Sequence, residues 1–299
     1  MLLAILGSPT SWYVNELRRV AQDRHDVVCF TFSELGSAVS SSEFRVTADG
    51  ARLEEIDCLH VRTMSAASLE QVIFRMDLLW QLEARGVRVV NPPGAVEAAV
   101  DKYLATARLQ AAELPVPPTV VCQNVDHAMA AFAELGQDVV VKPLFGAEGR
   151  GMSRITDEDI AWRTFKTLAE LRSVLYLQQF IPHDGFDTRV LVIGDKQYAM
   201  RRENSGNWRT NAARGADCKP CELTPDIADL AQRAAAAVGA SLAGVDILED
   251  SAGKRYVLEV NAVPGWQALA RTLDVDISAE VLDHLLRQPT DREMSARSK

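Results

Sequence analysis

The chain lacks any apolar run long enough to cross a bilayer. Its longest small-apolar stretch, Ala234 to Val245, is interrupted by Gly239, Ser241 and Gly244 and is too short to span. The opening Met1-Leu2-Leu3-Ala4-Ile5-Leu6 is too short for a secretory signal or an anchor, and runs at once into Gly7-Ser8-Pro9, which reads as a first strand and its loop. No membrane partner is expected. Cysteine is scarce: Cys29, Cys58, Cys122, Cys218 and Cys221 are an odd, scattered five, which reads as reduced thiols in a cytoplasmic protein. The lone C-x-x-C, Cys218-Lys219-Pro220-Cys221, has no second pair to complete a zinc site. Positive charge is not in excess. The net charge of -9 gives no sign of a general nucleic-acid binder, although a local basic groove stays open. There is no internal repeat and no low-complexity segment. What is present is an ordinary globular composition, 47% hydrophobic and 24% charged over 299 residues, enough for one large domain or two to three compact ones.

Residues 1 to about 92 alternate strand and helix patterns. Leu2–Leu6, Val27–Phe32, Cys58–Val61 and Val87–Val90 read as strands. Val14–Gln22, with Ser11 as its cap, reads as a helix. So does Leu69–Arg85, with Leu69, Val72, Ile73, Met76, Leu79, Trp80 and Leu82 in its apolar register. That pattern predicts a parallel α/β layer. Its functional residues are expected beyond the C-terminal strand ends, where Arg62 and the Gly7–Tyr13 loop fall. Arg62 is there either an anion clamp for a substrate carboxylate or phosphate, or simply an exposed arginine. A helix over about 95–111 then leads into Leu114-Pro115-Val116-Pro117-Pro118, a stiff connection. The expected organisation is an α/β domain over 1–92, a linking helix over 93–114, a small α+β subdomain over 115–185, a larger antiparallel one over 186–289, and a tail over 290–299.

Near the C-terminus, Val245-Asp246-Ile247-Leu248 and Tyr256-Val257-Leu258-Glu259-Val260-Asn261 flank a turn at Asp250-Ser251-Ala252-Gly253. Pairing around Ser251-Ala252 sets Asp246 opposite Val257, and alternation then places Glu259 and Asn261 on the face of Asp246. Two carboxylates and an amide are hard oxygen donors, suited to Mg²⁺ held together with substrate phosphates. The other reading is a solvated strand face.

Upstream, the buried strand Val139-Val140-Val141-Lys142 runs into Gly146-Ala147-Glu148-Gly149-Arg150-Gly151. Such a segment leaves backbone N–H groups free to face an anion, and the lysine adds a point charge. It is neither a Walker sequence nor a dinucleotide fingerprint; the alternative is a plain flexible loop. Gln179 and Phe180 leave a strand as extended backbone, able to offer an N–H and a C=O to an adenine edge. Asp187 could bond a ribose and Arg189 a phosphate; the other reading of Asp187 is a turn acid.

In order, Asp101-Lys102, V-K-P-x-x-G-x-x-G-x-G at 141–151, Q-Q-F-I at 178–181, D-x-R-V-x-V-x-G-D at 187–195, R-T-N-A-A-R-G at 209–215 and V-D…L-E-V-N at 245–261 resemble the ATP-grasp superfamily, in its RimK-like glutamate-ligase branch. Within it, the 61–77 and 89–103 segments look like tetrahydromethanopterin:glutamate ligases and their bacterial relatives. Two departures stand out: Ser65-Ala66-Ala67 where that group has a proline, and Gln179 where many ATP-grasp enzymes have glutamate. The resemblance implies an ATP-grasp fold, an α/β N-terminal layer plus two α+β subdomains with ATP between the latter. It implies that Lys102, Lys142 and the loop glycines Gly146, Gly149 and Gly151 meet the phosphates. Gln179 and Phe180 would meet adenine, and Asp187 the ribose. Asp246, Glu259 and Asn261 would hold one or two Mg²⁺, with Mn²⁺ able to substitute. Arg189, Arg209, Asn211 and Arg214 would line the phosphate and acyl site, with Arg62 and Ser11 as weaker substrate candidates.

The chemistry implied is activation of a carboxylate as an acyl phosphate, followed by attack of an amine, L-glutamate, to form an amide. Such phosphoryl transfer rests on positioning and charge neutralisation, so no cysteine or serine nucleophile is needed. The acceptor is a small cofactor-type acid such as a pterin or methanofuran-like compound, or else a protein C-terminus or carrier protein. The reading from another class is a nucleotide-binding regulatory module without catalysis. A homo-oligomer is expected by family habit.

Overall fold

The structure, a computed structural model, describes residues 1–146, 149–204, 206–210 and 216–287. The chain divides into two units, Met1–Pro93 together with Asp274 onward, and Gly94–Leu273.

In the first unit, strands Asp26–Phe30, Leu2–Leu6, Cys58–Val61 and Arg88–Val90 lie side by side in that order, all parallel. Parallel neighbours need long crossovers, here supplied partly by helices Trp12–Ala21 and Leu69–Ala84. Ser11 starts the first of these: its hydroxyl accepts the Val14 N–H at 3.3 Å. The second helix buries a different stripe from the one its periodicity suggests. Met76, Leu78, Leu79 and Leu82 are buried, whereas Leu69, Ile73 and Trp80 are exposed. The apolar residues encircle too much of the helix for spacing to single out one face.

Strands Leu35–Val39, Phe44–Ala48 and Ala51–Arg52 form a small antiparallel sheet. They have no expectation behind them, because their short Ser-, Gly- and charge-bearing sequences carry little alternation. A second difference concerns helix Ile277–Leu286. The 186–289 boundary groups it with the C-terminal subdomain, but it belongs to the first unit. There the Arg88 guanidinium donates to the carbonyls of His284, at 2.9 Å, and Arg287.

The second unit opens with two helices, Pro93–Val100 and Lys102–Ala111, where one was expected. Asp101 breaks the run. Its backbone is extended, and its carboxylate accepts the N–H groups of Tyr103 at 2.8 Å and Leu104 at 3.1 Å. An aspartate gains more by capping orphan N–H groups than by continuing a helix.

Next comes an antiparallel sheet ordered Ser153–Ile155, Val139–Lys142, Leu175–Gln179, Thr119–Cys122. Helices Val125–Glu134 and Glu158–Glu170 cover it through Phe132 and Phe165, both fully buried. Asp157 starts the Glu158–Glu170 helix by accepting the Ile160 N–H at 2.9 Å.

The larger sheet is antiparallel throughout, ordered Asp217–Pro220, Lys196–Glu203, Phe186–Ile193, Leu242–Glu249, Arg255–Asn261. One face is apolar. Val190, Val192, Val245, Ile247, Val257 and Val260 cluster with Ile227, Leu230, Ala234 and Val238 of helix Pro225–Val238. Strand alternation therefore sends Asp187, Arg189, Arg202 and Asp246 to the other face.

The pairing of the last two strands corrects the expected register. Ile247 faces Val257, and Asp246 stands directly opposite Glu259, with Leu258 left over as a β-bulge. Continued regular pairing would set Leu258 against Asp246 and Glu259 against buried Val245, on the apolar face. The extra residue keeps both carboxylates, and Asn261 opposite Gly244, on the polar face.

Candidate active site

Three features bring the lysines into place. Capping by Asp101 makes Lys102 the first residue of its helix, and its Nζ donates to the Gly146 carbonyl at 2.6 Å. Lys142 ends its strand opposite Tyr176, and its Nζ donates to Gln178 Oε1 at 2.6 Å. The buried Gln178 amide is in turn fixed by Thr119 Oγ1 at 3.0 Å and the Tyr176 hydroxyl at 3.3 Å. Burial pushes the Lys142 ammonium down to about 8, opposed by Glu259 and Asp246 and reinforced by Lys102. Burial also lowers Lys102, again opposed by Glu259. Removing the cap is expected to show in both stability and binding. Asp101→Ala should cost about 1 kcal/mol in urea unfolding and weaken ATP binding, because Lys102 then sits on a frayed turn.

On the large sheet, the Arg202 guanidinium forks onto Asp187, at 2.7 and 2.6 Å, and reaches Asp246 Oδ2 at 3.1 Å. Arg189 takes the other oxygen of Asp246 at 2.6 Å. Burial pushes Asp246 up, but the two arginines more than reverse this and hold its carboxyl below the usual range. Thr210 donates to Asp187 Oδ2 at 2.6 Å. The Asp187 carboxylate is thus already engaged by Arg202 and Thr210, so a ribose would have to share it.

Glu259 differs from its neighbours. Half-buried, it takes part in no hydrogen bond or ion pair among the described residues, although its charge is felt by Lys102, Lys142 and Tyr176. Asn261 Oδ1 accepts the Val263 N–H at 2.8 Å, which leaves the oxygen a second lone pair. No group of three or more His, Cys, Asp or Glu side chains among the described residues forms a metal site by itself. Two carboxylates and an amide oxygen nevertheless suit Mg²⁺, which is satisfied by one or two carboxylates when phosphates and water complete its shell. The uncommitted Glu259 is the donor that carries this fit.

Lys102, Lys142, Asp187, Arg209, Asp246 and Glu259 line one cavity of about 80 Å³. The loop glycines Gly146, Gly149 and Gly151 all have positive φ, conformations costly for other residues. Arg209 donates to the Met152 carbonyl, and its guanidinium lies 4.3 Å from the Trp208 ring centre. Phe180 lines an open cleft of about 610 Å³ with Arg154 and His183, which shares Trp208 and Arg209 with the first cavity. The N–H groups of Gln179 and Phe180 donate to Pro118, at 2.8 Å, and Asp138, at 2.9 Å. Their carbonyls are what that backbone offers a ligand edge. Asn211 and Arg214 lie outside the described residues.

Arg62 and Ser11 belong to the first unit. Arg62 is not the exposed arginine of the alternative reading. It is 7% exposed, its guanidinium lies 4.2 Å from the Tyr13 ring centre, and burial pushes it down to about 10. Its side chain packs beside Gly7 at the C-terminal strand ends. Ser11 caps its helix.

Arg202, Gln178 and Thr210 were not singled out from sequence. For Arg202 the signal was present: a tight turn at Gly194-Asp195 pairs Asp187 with Arg202, as observed. Gln178 is recognisable only once Lys142 is known to share its face.

A family model described as the RimK-like ATP-grasp domain matches residues 99–285. A tetrahydromethanopterin:alpha-L-glutamate ligase of Methanosarcina acetivorans is 35% identical over 262 residues, covering 78% of this chain and 81% of its own. The enzyme of that name from Methanococcus maripaludis is 31% identical over 96% of this chain and 98% of its own. In three dimensions the ATP-grasp ligase PsnB, solved with a minimal precursor, Mg and ADP, superposes with a TM-score of 0.73 at 22% identity, covering 99% of this chain and 98% of that one. No helix among the described residues is long and apolar enough to cross a membrane. Two lysines and three carboxylates around one cavity, on a fold shared along nearly the whole chain, thus coincide with a match to more than half of its residues, and the protein belongs to the RimK-like ATP-grasp family.

Proposed function

We propose that the protein is an ADP-forming carboxylate–amine ligase that adds L-glutamate to a small cofactor-type carboxylate, of the pterin or methanofuran-like kind. The observation that carries this reading is the Glu259 carboxylate, without a hydrogen bond or ion pair among the described residues, in one cavity with Lys102 and Lys142. ATP brings its phosphates to the lysines and the glycine segment. The acceptor carboxylate attacks the γ-phosphoryl group, ADP leaves, and the acyl phosphate is opened by the amine with loss of phosphate. Glu259, Asn261 and Asp246 would hold one or two Mg²⁺, with Mn²⁺ able to substitute, and the ion would neutralise phosphate charge. Arg189 and Arg202 hold positive charge beside Asp246, where negative charge develops on the transferring group. Gln178 orients the Lys142 ammonium. Arg209, tied to Met152, helps to keep water from the acyl phosphate. Asp187 and the Gln179–Phe180 carbonyls meet the nucleoside, Asn211 and Arg214 are candidates for the acyl group, and Arg62 and Ser11 are the first unit's candidates for acceptor binding. The protein works in the cytoplasm as a homo-oligomer without nucleic acid. Its functional segments are 1–92, 93–114 and 115–185, with the catalytic sheet beyond.

The test is mass spectrometry of acceptor mixtures incubated with protein, Mg-ATP and glutamate, with ADP followed in parallel. A glutamyl adduct on a pterin or furan acid, matched by ADP, is the expected result. An adduct on a protein terminus, or nucleotide binding without ADP release in any mixture, would overturn it.

A further inference from the structure

Gly244 has none of the usual reasons to be glycine. It lies within the central strand Leu242–Glu249, between Leu191 on one neighbour and Asn261 on the other, and its φ is outside the left-handed region. In such a place glycine is destabilising relative to alanine, by roughly 0.5–1 kcal/mol. Its use here is space. A Cβ built on Gly244 would stand 2.7 Å from Nε of Arg189 and closer still to Cζ and Nη2, and these are its three nearest neighbours. Arg189 itself stands directly across from Asp246. Its guanidinium lies over the bare Gly244 backbone, and from there Nη1 donates to Asp246 Oδ1 at 2.6 Å.

We propose that Gly244 is a positioning residue, whose missing side chain forms the seat that holds the Arg189 guanidinium against Asp246, on the rung it shares with Asn261. The inference rests on the ligase reading for the role of Arg189, but not for the seat itself. A methyl group at position 244 displaces the far end of a flexible side chain rather than backbone, so the sheet survives while the cation leaves its place. A donor fixed in advance is effective only at its set position, and displacement by about 1 Å can cost on the order of 100-fold in rate.

The experiment is a double-mutant cycle of Gly244→Ala and Arg189→Ala, read in the rate of ADP formation and in thermal melting. Gly244→Ala alone is expected to lower kcat roughly 100-fold with KM for ATP changed less than about 3-fold. In the Arg189→Ala background the same substitution should change kcat by less than about 3-fold, because the displaced group is gone. Equal losses in both backgrounds, or an unchanged kcat in Gly244→Ala, would overturn the assignment.

The melting arm needs no turnover, so it still judges the seat if the wild type releases no ADP and the ligase reading fails. Gly244→Ala should lower the melting temperature in the wild type but not in Arg189→Ala, where alanine melts at or above glycine. If Gly244→Ala does not fold, recovery in the double variant supports the seat; no recovery rejects it.

Discussion

Glu259→Gln is expected to reduce ADP formation by about 10³-fold while shifting the melting temperature by no more than a few degrees. The amide keeps the size of the side chain and one acceptor oxygen but removes the charge. In the protein alone that charge has no hydrogen bond or ion pair to lose among the described residues, so folding has little at stake. Among the described residues no arginine engages it, unlike Asp246 with Arg189 and Arg202, which leaves it available to Mg²⁺. The check is a steady-state ADP assay across a Mg²⁺ titration, with melting curves recorded on the same samples. A loss below about tenfold, at a Mg²⁺ dependence like that of the wild type, would remove Glu259 from the metal site.

Lys142 carries the second large effect, and its sign with pH is fixed. Its folded value of about 8 lies below the ordinary 10.5 because burial disfavours the charged form. The folded protein therefore binds fewer protons than the unfolded chain between these values. Its destabilising contribution is fully present below pH 8 and disappears as pH rises toward 10.5, a span on the order of 3 kcal/mol. Lys142→Met should accordingly be more stable than the wild type at pH 7, with the two converging above pH 10. ATP has the opposite preference, since phosphates need the ammonium. Wild-type affinity for ATP should fall as pH climbs above 8, with proton uptake on binding, visible by calorimetry in buffers of different ionisation enthalpy. Lys142→Met should bind ATP about 100-fold more weakly at pH 7 and lose that pH dependence. A variant that binds ATP as tightly as the wild type would exclude Lys142 from the phosphate site.

Much of this arrangement can be read from residue order. Strands such as Leu2–Leu6, Cys58–Val61 and Val139–Lys142 have the expected bounds, because an apolar run between turn residues leaves few alternatives. The polar face of the large sheet follows from alternation alone once its neighbours are known. What escaped has local causes. Asp101 looks like a helical residue until capping competes for it. The Leu35–Arg52 sheet has no apolar stripe to announce it. Arg202 is one of two adjacent arginines, and only the Gly194-Asp195 turn tells which one faces Asp187. The extra residue Leu258 is invisible to periodicity, because a pattern of period two has no place for it.

That extra residue also sets unlike chemistries side by side. In a regular strand, consecutive side chains look to opposite sides, so grease and charge are kept apart by the thickness of the backbone. Here Leu258 and Glu259 both border the same cavity, and Leu258 packs with Ile181, Leu248 and Tyr256. An oily shelf and an anionic edge thus adjoin within a single residue's rise, roughly 3.3 Å. A ligand that is flat and apolar at one end and highly charged at the other finds its change of character matched by one irregularity in the main chain.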